Sequence, residues 1–104
     1  MARVTESEVA LAVMRIAADR PNHLCTFNRA RNEVPNYLNL SEADLAPSET
    51  RAGEPMWHQI IRNIQSHHGA EGNFINDGLL THVPRQGYRV TQAGLNRLQQ
   101  LGLI

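Results

Sequence analysis

The chain contains no lysine. Its ten basic residues are all arginine, they face ten Asp and Glu, and with histidine neutral the net charge is zero. That balance argues against a strong non-specific nucleic-acid binder, which carries a basic excess. Arginine suits planar, bidentate contact with phosphate or guanine, although arginine-only usage also follows from the base composition of coding DNA. Cysteine occurs once, at Cys25, which excludes an internal disulfide and points to a reducing compartment. No apolar run approaches the roughly 18 residues that a membrane span needs, and the opening Met-Ala-Arg-Val-Thr-Glu lacks the apolar block of a secretion signal. The expectation is a soluble cytoplasmic protein of bacterial type, with no membrane partner.

Motifs of catalysis and metal binding are equally scarce. His58, His67, His68, His82 and Cys25 include neither a Cys-x-x-Cys nor a His-x-x-x-His spacing. Adjacent histidines such as His67 and His68 point in different directions on a helix, so no metal site is expected. Cys25 follows an apolar Leu and precedes a helix cap, which suits a buried, inert thiol. No Ser/His/Asp arrangement, carboxylate pair or Gly-rich phosphate loop is present. The expectation is a non-enzyme with no cofactor and no small-molecule substrate.

At 104 residues the chain fits one domain, 1–104, and a chain of this length buries about two-thirds of its unfolded surface. Thr5-Glu6-Ser7-Glu8 is a capping-box pattern that starts a first helix. Val9, Ala12, Val13, Ile16 and Ala17 share its inner face, and Pro21 stops it. Leu11 falls off that stripe near Met14 and Ala18, as a lone exposed Leu or as a small homodimer contact. His23-Leu24-Cys25 reads as a short strand. Thr26 caps a second helix with Phe27, Ala30 and Val34 inward and Arg29, Arg31 and Asn32 outward, ended by Pro35.

The segment 36–54 is long for a helix-to-helix connection. Leu38, Leu40 and Leu45 tack it to the core, and Ser41-Glu42-Ala43-Asp44 starts one short turn of helix. It carries Glu42, Asp44, Glu49 and Glu54 against a single Arg51. Such a loop repels phosphate, so it is expected to face away from any nucleic acid.

The informative stretch is 55–91. Pro55 fits the first turn of a helix over 56–68. Trp57, Ile60, Ile61 and Ile64 form one apolar stripe with His68 at its border. His58, Gln59, Arg62, Asn63, Gln65 and Ser66 form the opposite, amide-rich face, the kind a major groove admits. The segment 73–80 reads as a short helical continuation ending at Gly78, with Leu79 and Leu80 buried. Thr81-His82-Val83 and Tyr88-Arg89-Val90 alternate like half-buried strands around the turn Pro84-Arg85-Gln86-Gly87, in which Gly87 supplies positive φ. Thr91 caps a last helix with Leu95, Leu98 and Leu101 on one face and Gly102 at its end.

The run Trp57-x-x-Ile60-Ile61-x-x-Ile64, then Gly78-Leu79-Leu80, then Gly87-Tyr88-Arg89-Val90-Thr91-Gln92-Ala93-Gly94 resembles the winged-helix N-terminal domain of Mrr-type restriction proteins over roughly the C-terminal half. The resemblance implies a mainly α fold with a small β-hairpin, a winged helix-turn-helix of about four helices plus a two- or three-stranded wing. It also implies a role in engaging DNA beside a nuclease domain. The sequence departs from such proteins in having no Asp followed by a Glu-x-Lys element, so cleavage is not expected, and in the acidic segment 36–54.

The expected function is therefore double-stranded DNA binding, as an accessory to a restriction or defence system or as a transcriptional regulator. Helix 56–68 serves as recognition helix and 81–90 as wing. Arg62 pairs with guanine, and Gln59 or Asn63 with adenine, with His58 and Ser66 on the same face. Arg85 and Arg89 hold phosphate or enter the minor groove, and Thr50 and Arg51 anchor the helix start to the backbone. From residue 56 onward Arg62, Arg85, Arg89 and Arg97 outnumber Glu71 and Asp77. The alternative is a protein-interaction module that dimerises through Leu11, Met14 and Ala18 without touching nucleic acid.

Overall fold

In a computed structural model, which describes residues 3–104, five α-helices surround a three-stranded antiparallel sheet. The order is α1 (Glu6–Ala18), β1 (Leu24–Thr26), α2 (Phe27–Glu33), α3 (Glu42–Leu45), α4 (His58–Ser66), β2 (Leu80–Val83), β3 (Gly87–Val90) and α5 (Gln92–Gln100). A 3₁₀ turn over Val34–Asn36 follows α2 and carries Pro35. The sheet order β1-β3-β2 puts the strand of 87–90 in the middle, with Tyr88 opposite both Cys25 and His82.

Helix α1 is the spine. The Thr5 hydroxyl accepts from the Glu8 amide at 3.1 Å, and the Glu8 carboxylate accepts from the Thr5 amide at 2.8 Å, so two of the orphan donors at the helix start are satisfied. Val9, Ala12, Val13, Ile16 and Ala17 are buried, as the stripe requires, and Ala10 and Met14 are buried with them. Met14 has no exposed surface at all. It therefore cannot form a dimer contact, and only the half-buried Leu11 and Ala18 of that expected trio reach the surface.

The loop between α2 and α4 is held by a buried carboxylate. Asp44, 1% exposed, accepts from the Val4 amide at 3.2 and 3.3 Å, from the Ser41 amide at 2.9 Å and from the Ser41 hydroxyl at 3.0 Å. Its backbone carbonyl accepts from the Trp57 amide at 3.1 Å. One residue thus fixes the chain before α1, the start of α3 and the start of α4. Asp44→Ala should cost about 2–3 kcal/mol, because bonds to a charged acceptor are worth roughly 1.5–3 kcal/mol and the donors left behind are buried. Urea midpoints check this; a loss under about 0.5 kcal/mol would mean that this anchor is not formed.

Four sequence expectations change. Leu45 is 56% exposed and Leu101 53% exposed, so neither is tacked to the core. His68 is exposed, its Nδ1 2.9 Å from the Gln65 carbonyl. Helix α4 starts at His58 rather than at 56, because Pro55–Trp57 form a hydrogen-bonded turn, and it stops at Ser66. The segment 73–79 is turn rather than helix, and Leu80 already opens β2. The cause is Asn73, whose carboxamide oxygen accepts from the Ile75 and Asn76 amides at 2.7 and 3.1 Å while its NH2 donates to the Ile64 carbonyl at 2.9 Å. An Asx side chain that satisfies the next amides itself replaces the helical pattern. Leu79 and Leu80 are buried as expected.

Candidate nucleic-acid interface

Helix α4 lies on the core through Trp57, Ile61 and Ile64, which are 2%, 2% and 0% exposed. Ile60 is half-buried at the edge of the stripe. The other side of the helix carries Gln59 and Ser66 fully in the open, with His58, Arg62 and Asn63 half-buried. A second support comes from the sheet. The Tyr88 hydroxyl donates to the Ile61 carbonyl at 2.6 Å and accepts from the Gln65 amide at 3.1 Å. Those two backbone groups are partners four residues apart in a helix, so the phenol is inserted into the ladder of α4. Burial pushes that phenol up to about 12, so it remains a donor at neutral pH.

The outer face of α4 is bonded into a chain. Arg62 Nη2 donates to Glu54 Oε1 at 2.5 Å and to Gln59 Oε1 at 2.9 Å, and Gln59 Nε2 donates to Asn63 Oδ1 at 3.0 Å. The Glu54 carboxylate of the acidic loop therefore sits against α4, the expected recognition helix, not on the far side of the molecule. This corrects the expectation for the acidic loop, whose reach is set by Glu54, on the strand-like return of 54–55. An isolated bridge between Pro47 and Pro55 and the Ser48 amide on the Glu54 carbonyl at 2.7 Å define that return. The Arg62 hydrogen bond, with smaller charge contributions, holds the Glu54 carboxyl below the usual carboxylate range. The Arg62 Nε is buried without an acceptor among the described residues.

Beside this chain lies an open cavity of about 370 Å³ lined by Phe27, Arg31, Arg51, Glu54, His58, Ile61 and Arg62. A second depression, of about 440 Å³, shares Phe27 and Arg31 with it and extends along Thr26 and Asn28 to Arg85 and Gln86 at the hairpin tip. Together they run from the middle of α4 across the start of α2 to the β2–β3 turn. Burial lowers the basicity of His58, whose ring stands edge-on to Trp57 at 4.7 Å, with Glu54 opposing the shift. This run of surface has Arg31, Arg51, Arg62 and Arg85 on it against Glu54.

The sequence-based site residues thus divide. Gln59, Arg62, Asn63 and His58 are joined on or beside the outer face of α4, Ser66 extends that face by one turn, and Arg51 and Arg85 line the adjoining depressions. Thr50 is exposed in a turn closed by the Ser48 hydroxyl and lines neither depression. Arg89 is exposed one residue beyond the buried Tyr88, so strand alternation turns it to the opposite side of the sheet. Sequence reading passed over Arg31 and Glu54. Arg31 carried a signal, since it belongs to the outward side of α2. Glu54 carried none, because its pairing with Arg62 is made by a loop whose path has no periodicity.

At the tip, Val83 and Gln86 close a turn with a 3.0 Å hydrogen bond, and Arg85 has φ 67°. Proline followed by a residue of positive φ is the type II pattern. Arg85 thus takes the left-handed position of the turn, while Gly87 has positive φ as expected, at 157°, and a steric role besides: a Cβ there would stand 2.0 Å from the Cys25 carbonyl oxygen.

Comparison with protein-family models, with curated proteins and with solved structures gives no match. No helix among the described residues is long and apolar enough to cross a membrane.

Proposed function

We propose that this chain is a winged helix-turn-helix domain, akin to that of Mrr-type restriction proteins, that binds duplex DNA. Helix α4 enters the major groove and the β2–β3 hairpin serves as the wing. The observation that carries the reading is the pair of neighbouring depressions, sharing Phe27 and Arg31, that lie between α4 and the hairpin tip with arginines at 31, 51, 62 and 85. The order helix, strand, three helices, hairpin, helix, with sheet order β1-β3-β2, supports it. So does the backbone of Arg85. A left-handed non-glycine residue costs about 1–2 kcal/mol, and a guanidinium kept there at the tip fits a contact role better than a structural one.

The test is duplex binding by the wild type and by Arg62→Ala/Arg85→Ala. The double variant should lose on the order of 10- to 100-fold in affinity at low salt, and its log K against log salt slope should fall by about 1, from the lost phosphate contact of Arg85. Unchanged affinity and slope would remove the reading.

A second reading, a homodimerisation module, draws on one feature: Ile104 is 61% exposed and Leu101 53% exposed. Ile104 also lines a cavity of about 390 Å³ with Arg15, Ala18, Asp19, Tyr37 and Leu103. Light scattering on the same samples separates the two, since a dimer indifferent to duplex DNA supports this one.

A further inference from the structure

We infer that Glu54 and Arg62 act as one unit that reads a single G·C base pair, Arg62 on the guanine and Glu54 on the cytosine. The inference rests on the duplex-binding reading and adds a specificity-determining residue from outside the recognition helix. Glu54 stands eight residues before Arg62 in the chain and reaches it across the return of 47–55.

Arg62 Nη2 is occupied by Glu54 Oε1 and Gln59 Oε1. Nη1 of Arg62 and Oε2 of Glu54 make no hydrogen bond among the described residues. The pair therefore presents two free N–H donors on Nη1 next to one free carboxylate acceptor. In the major groove a G·C pair offers two acceptors, guanine N7 and O6, and then a donor, cytosine N4. The two patterns are complementary in order. An A·T pair sets a donor, adenine N6, where guanine has O6, and then an acceptor and a methyl group where the carboxylate needs a donor. Both residues line the open cavity beside α4, with the side chains of Arg62 and Glu54 27% and 20% exposed. A lone carboxylate next to phosphates is repelled, but the same cavity carries Arg31, Arg51 and Arg62. The three guanidiniums leave the local balance positive. Gln59, itself held by Asn63, fixes the guanidinium from the other side, so the reader is ordered before DNA arrives and less freedom is lost on binding.

The experiment is selection from a random duplex pool at low salt with the wild type, Glu54→Ala, Glu54→Gln and Arg62→Ala, followed by titration of the selected duplex and of its versions with that G·C pair changed. Glu54 is half-buried, with its side chain 20% exposed, so circular dichroism and a thermal melt first establish that its variants are folded. Wild-type sites should share one fixed G·C pair, with about tenfold weaker binding when it is replaced by A·T. Glu54→Ala should bind unselected DNA at least as tightly as the wild type, having lost a negative charge, yet discriminate less between that G·C pair and A·T. Glu54→Gln, which keeps an acceptor oxygen, should retain part of that discrimination. Arg62→Ala should lose the preference for that G·C pair altogether and bind all duplexes more weakly. If Glu54→Ala tightens binding to all duplexes and keeps the wild-type preference, Glu54 is only a competitor for Arg62, and this inference fails while DNA binding stands. Wild-type sites with no fixed G·C pair also overturn it. A wild type that binds no duplex overturns both this inference and the function beneath it.

Discussion

Gly87→Ala should unfold much of this domain. The new Cβ would lie 2.0 Å from the Cys25 carbonyl oxygen, 2.8 Å from the Thr26 Cα and 2.9 Å from the Cys25 carbonyl carbon. All three are backbone atoms of β1, so no side chain can swing aside. Gly87 is the residue opposite Thr26 in the β1–β3 pairing and opposite Val83 in the β2–β3 pairing. Relief requires β1 to leave the central strand, and the buried Leu24 and Cys25 leave with it. A loss of about 4 kcal/mol or more is expected, in the range reserved for severe core disruption. For a chain of this size that corresponds to a fall in melting temperature of roughly 15 °C or more. Gly72→Ala is the control. Its φ is +82° and nothing lies within 4 Å of the added atom, so only the left-handed backbone penalty of about 1 kcal/mol applies. Calorimetry on the two variants decides it; equal, small shifts would mean that β1 does not pair with β3 in this register.

The second large effect belongs to Tyr88, and its size should depend on which part of the side chain is removed. Tyr88 has no exposed surface, and its ring meets Phe27 edge-on at 5.5 Å. Tyr88→Ala leaves a ring-sized cavity between the sheet and α4 and should cost about 3–5 kcal/mol. Tyr88→Phe keeps the ring and deletes only the hydroxyl that bridges the Ile61 carbonyl and the Gln65 amide. Those two groups can then pair with each other as ordinary helix partners. The expected cost is therefore only about 1 kcal/mol, below the penalty for two stranded backbone groups. Denaturant midpoints at constant m-value measure both. A Phe variant as unstable as the Ala variant would show that the helix cannot close the gap.

The parts of the fold that were legible in the sequence are those set by local chemistry. The Thr5 capping box, the Thr26 and Thr91 caps, the α1 stripe and the Trp57–Ile64 stripe all occur where the residues place them, and the hairpin turn closes one residue earlier than expected, with Gly87 already in β3. Each rests on neighbours within four positions. What was not legible depends on distant partners. Asn73 defeats the helix expected after Gly72 because its side chain is fixed by the Ile64 carbonyl and Glu6. Met14 lies off the main stripe of α1, yet it is covered. The polar face of α4 was readable as a face, but not the fact that its arginine is already engaged by an acid from the preceding loop.

The return at 47–55 has a bearing on how this chain tolerates change. Its two ends are clamped by the Pro47–Pro55 bridge and the Ser48–Glu54 backbone bond, while residues 49–53 at its tip are exposed. Doubling the length of a flexible loop costs only about 0.6 kcal/mol in closure entropy. Insertions at that tip are therefore nearly free and leave Glu54 in register with α4, whereas the same insertions between 54 and 58 would carry it off the helix altogether.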